Sequence, residues 1–279
     1  MTCGESTFLP HTCVWGIFMN MRNIKLTIAY EGTNYRGWQS QGDRHSNTVQ
    51  QAIEEALRKI LIKKPRLIGS GRTDAGVHAL AQVANFKTDD PIRLDKLKAA
   101  LNGLLPKDIA VLRVTDAPLD FHARFDVLSK TYIYCILPLN IKTVFISPWA
   151  WRVRHPLDIF MMRREAKALL GRHDFRSFQA SDRVKRHSVV TLKRVEIKKV
   201  KDQKGFPFLK GIEFITIELE ASGFLRNMAR NIAGTLVDIG RGKFKKGELA
   251  KILKKRDRKS AGFCAPPWGL YLVDVVYGK

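Results

Sequence analysis

None of the four cysteines, Cys3, Cys13, Cys135 and Cys264, stands in a Cys-x-x-Cys pair, so the chain spells out neither a zinc finger nor a disulfide scaffold. Cys3, His11 and Cys13 lack a fourth neighbouring ligand and read as an accidental cluster; reduced thiols and a cytoplasmic setting are the expectation. Apolar runs such as Val14-Trp15-Gly16-Ile17-Phe18-Met19 fall far short of the roughly 20 residues that a membrane-spanning helix needs. A Walker-type Gly-Lys-Ser/Thr loop, His-Glu-x-x-His and Gly-x-Ser-x-Gly are all missing, which removes the common nucleotide-hydrolase, zinc-peptidase and serine-hydrolase readings. Acidic charge is scarce as well. Across 279 residues, 26 Asp+Glu face 49 Lys+Arg, a net charge of +23. A polyanionic partner explains such an excess, because phosphates reward clustered Lys and Arg by attraction and counterion release.

What is present belongs to a folded protein: 45% hydrophobic and 27% charged residues disfavour wholesale disorder. Residues 1–20 differ from the rest in containing no Lys or Arg, which argues against both a secretory signal and a mitochondrial transit peptide. They are expected to be a non-native or disordered extension, with the natural start at Met19 or Met21.

After Met21, strands and helices alternate. Ile24 to Tyr30 reads as a strand entering a Gly-Thr-Asn turn. Val49, Ile53, Ala56, Leu57 and Ile60 recur at helical spacing behind a Thr48 N-cap. Leu80 to Phe86 and Ile109 to Val114 read as strands flanking a helix over Leu94 to Leu105. In the second half, strands are expected over Lys130 to Leu137, Val189 to Val200, Ile212 to Leu219 and Leu270 to Tyr277. Helices are expected over Leu157 to Leu170, Phe224 to Ile239 and from Glu248 onward. This is an α+β chain of two similar halves with mainly antiparallel sheet, an N-terminal domain over 21–120 and a C-terminal domain over 121–279. Residues 183–210 and 241–260 each hold ten Lys/Arg against two acids, and each is a candidate phosphate-contacting surface.

One segment stands out chemically: Gly69-Ser70-Gly71-Arg72-Thr73-Asp74-Ala75-Gly76-Val77-His78-Ala79. Its glycines permit tight turns and close ligand approach, and Arg72 and Asp74 are the only formal charges among small groups. By itself, an Asp in such a turn is more often a turn-former than a catalyst. The motif series changes that balance. Gly71 to His78, then Asp120-Phe121-His122-Ala123-Arg124-Phe125, Tyr132 and Tyr134, His173-Asp174-Phe175-Arg176-Ser177-Phe178, Gly223-Phe224-Leu225 with Arg230-Asn231-Ile232, and Gly269-Leu270-Tyr271-Leu272 follow one another in family order. Over about residues 23 to 277 the chain resembles the TruA family of tRNA pseudouridine synthases.

The resemblance implies a pseudouridine synthase fold with its cleft between the halves. It also implies isomerisation of uridine to pseudouridine at positions 38 to 40 of the tRNA anticodon stem-loop, with no cofactor and no metal. Asp74 matches the nucleophile, Arg230 the helix-borne arginine that pairs with it, and Arg72 the arginine that displaces and replaces the target base. Tyr132 matches the tyrosine that packs on uracil; His122 and Arg124 fall on the substrate-binding side. A homodimer with tRNA lying across both subunits is implied too. The chemistry suits the residue types: a carboxylate can add and later leave, a cation keeps it ionised in a site that excludes water, and an aromatic face can hold a detached base. His78, His122 and His173 read as structural hydrogen-bonding groups rather than acids or bases. Near the C-terminus, Ala261 to Trp268 departs from the Pro-Thr-Ala-Pro-Ala type of segment expected there, which leaves that loop's shape open. A non-catalytic RNA-binding protein and an N-glycosidase are the rival readings; the latter usually needs a second carboxylate, which the motif lacks.

A charge-driven grip on RNA has a measurable signature. Affinity for tRNA is expected to fall steeply with salt, and neutralising lysines within 241–260 is expected to flatten the log K against log[salt] slope by about 0.7–0.9 per phosphate contact removed.

Overall fold

The computed structural model describes residues 21–40, 47–138, 146–180, 188–201 and 212–278. The N-terminal extension and much of the 183–210 basic run therefore lie outside the described residues. The first half contains β1 (Arg22–Tyr30), α1 (Val49–Ile60), β2 (Ile68–Gly69), β3 (His78–Thr88), α2 (Leu94–Leu104) and β4 (Ile109–Ala117). The second contains β5 (Val127–Pro138), β6 (Trp151–Val153), α3 (Ile159–Ala166), β7 (Gly171–Asp174), β8 (Val189–Lys201), β9 (Glu213–Ala221), α4 (Met228–Gly240), α5 (Glu248–Lys255) and β10 (Leu270–Tyr277).

Both halves feed one sheet, in the order β4-β1-β3-β10-β5-β9-β8-β7, with β2 also on β3 and β6 also on β5. Pairing is antiparallel except for β3 with β10 and β5 with β6. The two halves meet where β10 runs parallel to β3 through two residue pairs, Tyr271 with His78 and Leu272 with Ala79. So short a ladder is reinforced by side chains. The His78 ring accepts the Gly32 N–H at Nδ1 (3.0 Å), donates from Nε2 to the Trp268 carbonyl (3.0 Å) and stacks on Tyr271 at 4.7 Å. The Tyr271 hydroxyl in turn donates to Trp149 O.

Local chemistry accounts for most elements. Alternation buries Ile24, Leu26, Ile28 and Tyr30 of β1. The Thr48 side chain caps α1 by accepting from Gln51 N, and the helix buries Val49, Ile53, Ala56 and Leu57. The expected helix over 157–170 is shorter than its periodicity suggests: α3 ends at Ala166 and continues as a 3-10 turn over Lys167–Leu169, after which Gly171 takes φ +99 and enters β7. β2, β6 and β7 are two to four residues long, too short to impose a period on the sequence.

The expectation for α4 needs correction. The helix begins at Met228, not Phe224, because Asn227 adopts φ +59 and breaks the path before it. Arg226 therefore precedes the helix that carries Arg230. α4 is almost wholly buried, and its Gly234 lies against the backbone of the 261–266 loop, where an added Cβ would overlap the Phe263 carbonyl oxygen. Gly262 answers from the loop side by donating its N–H to Thr235 Oγ1 (3.0 Å). The ring of Phe263 turns outward and meets Trp151 edge-on at 5.0 Å, which is how a bulky residue fits where a small one was expected. Gly234→Ala is expected to lower stability by about 1–3 kcal/mol through overpacking. Thermal or urea melting would read this, and unchanged melting would show that the loop yields freely.

Candidate active site

The candidate nucleophile sits on the loop that joins β2 to β3, and its backbone is tied from several directions. Ser70 N–H donates to Val83 O (2.7 Å), and Gln82 Nε2 donates to the Gly71 carbonyl (3.0 Å). Lys130 of β5 donates its ammonium to the Ser70 carbonyl. Trp38 N–H donates to Thr73 O (3.2 Å), Gly76 N–H to Tyr35 O (3.2 Å), and Val77 N–H closes the turn on Asp74 O (3.2 Å). The Tyr30 hydroxyl and Thr73 Oγ1 share a buried hydrogen bond of 2.8 Å. Gly37, at φ +95, lets that turn approach: a Cβ there would press on the Thr73 carbonyl. The loop thus keeps its shape without any contribution from the Asp74 carboxylate.

That carboxylate faces the second half. Arg230 Nη1 lies 3.5 Å from Asp74 Oδ2, an ion pair across the cleft with both side chains only partly shielded from solvent. Arg230 is itself aimed by its own half: Nε donates to the Ala265 carbonyl (2.8 Å) and Nη1 to Asn227 Oδ1 (3.3 Å). Ala265 N–H returns a bond to Arg230 O (3.2 Å), so the departing 261–268 segment keeps the shape that orients the arginine. The left-handed Asn227 that delays the start of α4 is also the residue whose side chain helps hold Arg230.

Tyr132 projects from β5 between β10 and β9, opposite Leu272 and Leu219. Its ring is 7% exposed and meets Phe224 edge-on at 4.8 Å. Burial, then the neighbouring Tyr30 and Asp74, push its phenol well above the ordinary range, so it stays neutral at physiological pH. Arg72, exposed, donates from Nε to Gln39 Oε1 (3.0 Å). Cys264 lies near the ion pair, and burial pushes its thiol up, against the opposing pull of Arg230 and Arg258.

The structure thus gathers Asp74, Arg230 and Tyr132, with Arg72 on the same loop as Asp74. His122 and Arg124 lie on the turn between β4 and β5. There His122 Nδ1 accepts the N–H groups of Arg124 and Phe125, and its ring stacks on Phe125 at 4.2 Å. His173 Nε2 contacts Leu170 O, and Phe175 and Phe178 of the same motif are fully buried, so that motif builds core. Gly37, Trp38, Gln39, Gln82 and Lys130 escape a sequence reading centred on the Asp74 motif. The one available signal was Gly37-Trp38-Gln39, a large aromatic directly after a glycine in a polar stretch.

Comparison with known proteins bears on this arrangement. The family model described as tRNA pseudouridine synthase matches residues 26–126 and 166–278. Among curated relatives, "tRNA pseudouridine synthase A" of Thermoanaerobacter sp. (strain X514) is 43% identical over 257 residues, covering 92% of this chain and all of the relative. The protein of the same name from Caldicellulosiruptor bescii is 44% identical over 257 residues with the same coverage, and that of Geobacter sp. (strain M21) is 43% identical over 258 residues. With matches to both halves, and with the Asp74 loop of one facing Arg230 and Tyr132 of the other, the chain belongs to the tRNA pseudouridine synthase family.

Proposed function

We propose that this protein is an isomerase that converts uridine to pseudouridine in the anticodon stem-loop of tRNA, at positions 38 to 40, with Asp74 as nucleophile. The observation that carries the reading is the Asp74 carboxylate held at the cleft, 3.5 Å from Arg230, beside the buried ring of Tyr132. The N1–C1′ bond of the target nucleotide breaks, a C5–C1′ bond forms, the C5 proton leaves and N1 gains one. Atoms and electrons balance without an oxidant, reductant or external group.

Each residue has a physical part in this scheme. Asp74 adds to the reacting nucleotide and later departs, which divides one hard step into easier ones. Arg230 offsets the carboxylate charge and fixes its direction, with a guanidinium that is itself held at Nε by the Ala265 carbonyl and at Nη1 by Asn227 Oδ1. Tyr132 gives the detached uracil a flat apolar wall against which it can turn. Arg72 leaves Gln39 to occupy the space of the displaced base, since unstacking costs a few kcal/mol that a stacked guanidinium can offset. His122 and Arg124 extend the RNA contact surface outward. Residues 21–120 carry the catalytic loop, and residues 121–279 supply most of the tRNA grip. The working unit is a cytoplasmic homodimer with tRNA across both subunits; among the described residues, no helix is long and apolar enough to cross a membrane.

Tritium release from tRNA labelled at uridine C5 tests the reaction. The wild-type protein is expected to release tritium and Asp74→Asn to lose at least about a thousandfold in turnover; undiminished release by the variant would sink Asp74 as nucleophile. Free uracil among the products would favour glycosidase chemistry instead. Arg230→Lys keeps the charge but loses the planar fork, so turnover is expected to fall about 10- to 100-fold while tRNA affinity stays within about threefold. Weakened affinity with turnover at saturating tRNA unchanged would assign Arg230 to binding alone.

A further inference from the structure

Lys130 belongs to none of the roles above, yet its surroundings are unusual for a lysine. It stands two residues before Tyr132 on β5 and so shares that residue's face of the strand, opposite Val275 of β10 and Ala221 of β9. Its ammonium reaches the underside of the catalytic loop, donates to the Ser70 carbonyl and fills the space over Gly71, where any Cβ would collide with it. The groups that face it carry no compensating negative charge. From the turn before β5 acts the Arg124 guanidinium; Tyr277 of β10 donates to Ala123 O (2.6 Å) on that turn and holds the Lys25 ammonium over its ring at 4.6 Å. Burial, together with Arg124, lowers the Lys130 ammonium to about 8. Asp126, the acid next along that turn, takes the His122 N–H (2.8 Å). Among the described residues, neither Lys130 nor Arg124 has an ion pair with a carboxylate. Arg124 lies over the Phe125 ring at 5.5 Å, and that ring, 72% exposed, is braced by His122.

A half-buried ammonium whose hydrogen bond goes to a loop carbonyl, with a second cation near enough to repel it, is costly in the free protein, and an arriving anion relieves that cost. We propose that Lys130 and Arg124 form a phosphate-binding pair at the rim of the catalytic loop, taking a phosphodiester of the bound RNA strand next to the target nucleotide. The inference rests on the RNA-modifying function proposed above. A point-charge ammonium beside a planar guanidinium suits a phosphodiester's two anionic oxygens. Because Lys130 also holds the Ser70 carbonyl, the same contact ties RNA binding to the position of Arg72 and Asp74. Lys130 is a positioning and binding residue in this scheme, not one that touches the reacting atoms.

The test uses the full-length protein and an anticodon stem-loop RNA, with dissociation constants measured over a KCl series near pH 7. Lys130→Gln keeps an N–H donor for Ser70 but has no charge, whereas Lys130→Arg keeps the charge. The glutamine variant is expected to bind about 5- to 30-fold more weakly and to lose about 0.7–0.9 from the salt slope. Its melting temperature should be unchanged or higher, and its KM should rise more than its kcat falls. The arginine variant should stay within about threefold of wild type. A glutamine variant with wild-type affinity and slope, or an arginine variant as weak as the glutamine one, overturns the proposal. A second measurement needs no variant to fold: stem-loops carrying one neutral methylphosphonate at each phosphate flanking the target uridine. One position is expected to reproduce the lost affinity and slope with wild-type protein, and equal affinity for all of them counts against the pair. Failure of wild-type protein to release tritium would instead strike the isomerase reading, because the salt slopes are read independently of turnover.

Discussion

The two-residue parallel ladder between β3 and β10 is the constraint on which the site depends, and His78 is what makes so short a junction rigid. The loop that carries Asp74 ends where β3 begins, and β10 lies against the β5 strand that carries Tyr132 and Lys130, so the join sets the width of the cleft. His78 can serve only as a neutral imidazole, because Nδ1 accepts the Gly32 N–H while Nε2 donates to Trp268. Burial lowers its affinity for a proton and outweighs the Glu31 carboxylate 3.4 Å from Nδ1, which pulls the other way. The ring is therefore withdrawn from acid–base work and committed to holding two halves in register.

A second device fixes the halves from the far side. Asn23 donates to the Pro118 and Phe121 carbonyls (2.8 Å each), and Asn85 donates to Asn23 Oδ1 (2.8 Å) while accepting the Ala123 N–H (2.9 Å). These two buried amides anchor the crossover from β4 to β5 to the strands of the first half. Buried polar pairs of this kind each add modestly to stability when satisfied, but leaving one partner bare costs about 1–3 kcal/mol, so the crossover has one favourable path. That path determines where Arg124 and Lys130 emerge relative to Ser70.

Much of this was legible in the sequence, for identifiable reasons. Thr48, the β1 alternation and the long strands follow local rules that tertiary contacts do not override. Asp74, Arg230 and Tyr132 were found through motif order, which records the geometry indirectly; nothing in their local spacing shows that they converge. The start of α4 differs from the expectation because the apolar spacing Phe224, Met228, Ile232 is helical, while the left-handed turn at Asn227 is a tertiary choice that frees Asn227 Oδ1 for Arg230. Gln82 and Lys130 could not be found at all. Each looks like an ordinary polar residue on a strand, and its meaning lies in a carbonyl, Gly71 or Ser70, far away in sequence.

The charge excess then takes on a structural meaning. Acids are paired where the fold needs them, as Asp238 is with Lys243 and Arg241 within the α4 neighbourhood, and Glu165 is with the Gly247 N–H that starts α5. At the cleft the pattern reverses: Asp74 meets Arg230, while Lys130 and Arg124 repel each other and, among the described residues, neither is paired with a carboxylate. Self-repulsion of that sort weakens a folded protein on its own and is relieved only by an external anion. A fold that merely needed solubility would disperse such cations. Lys130 donates to the Ser70 carbonyl of the loop that carries Asp74, so under the proposed anion binding the contact that relieves the repulsion would also stiffen that loop, and substrate binding and site assembly would be one event.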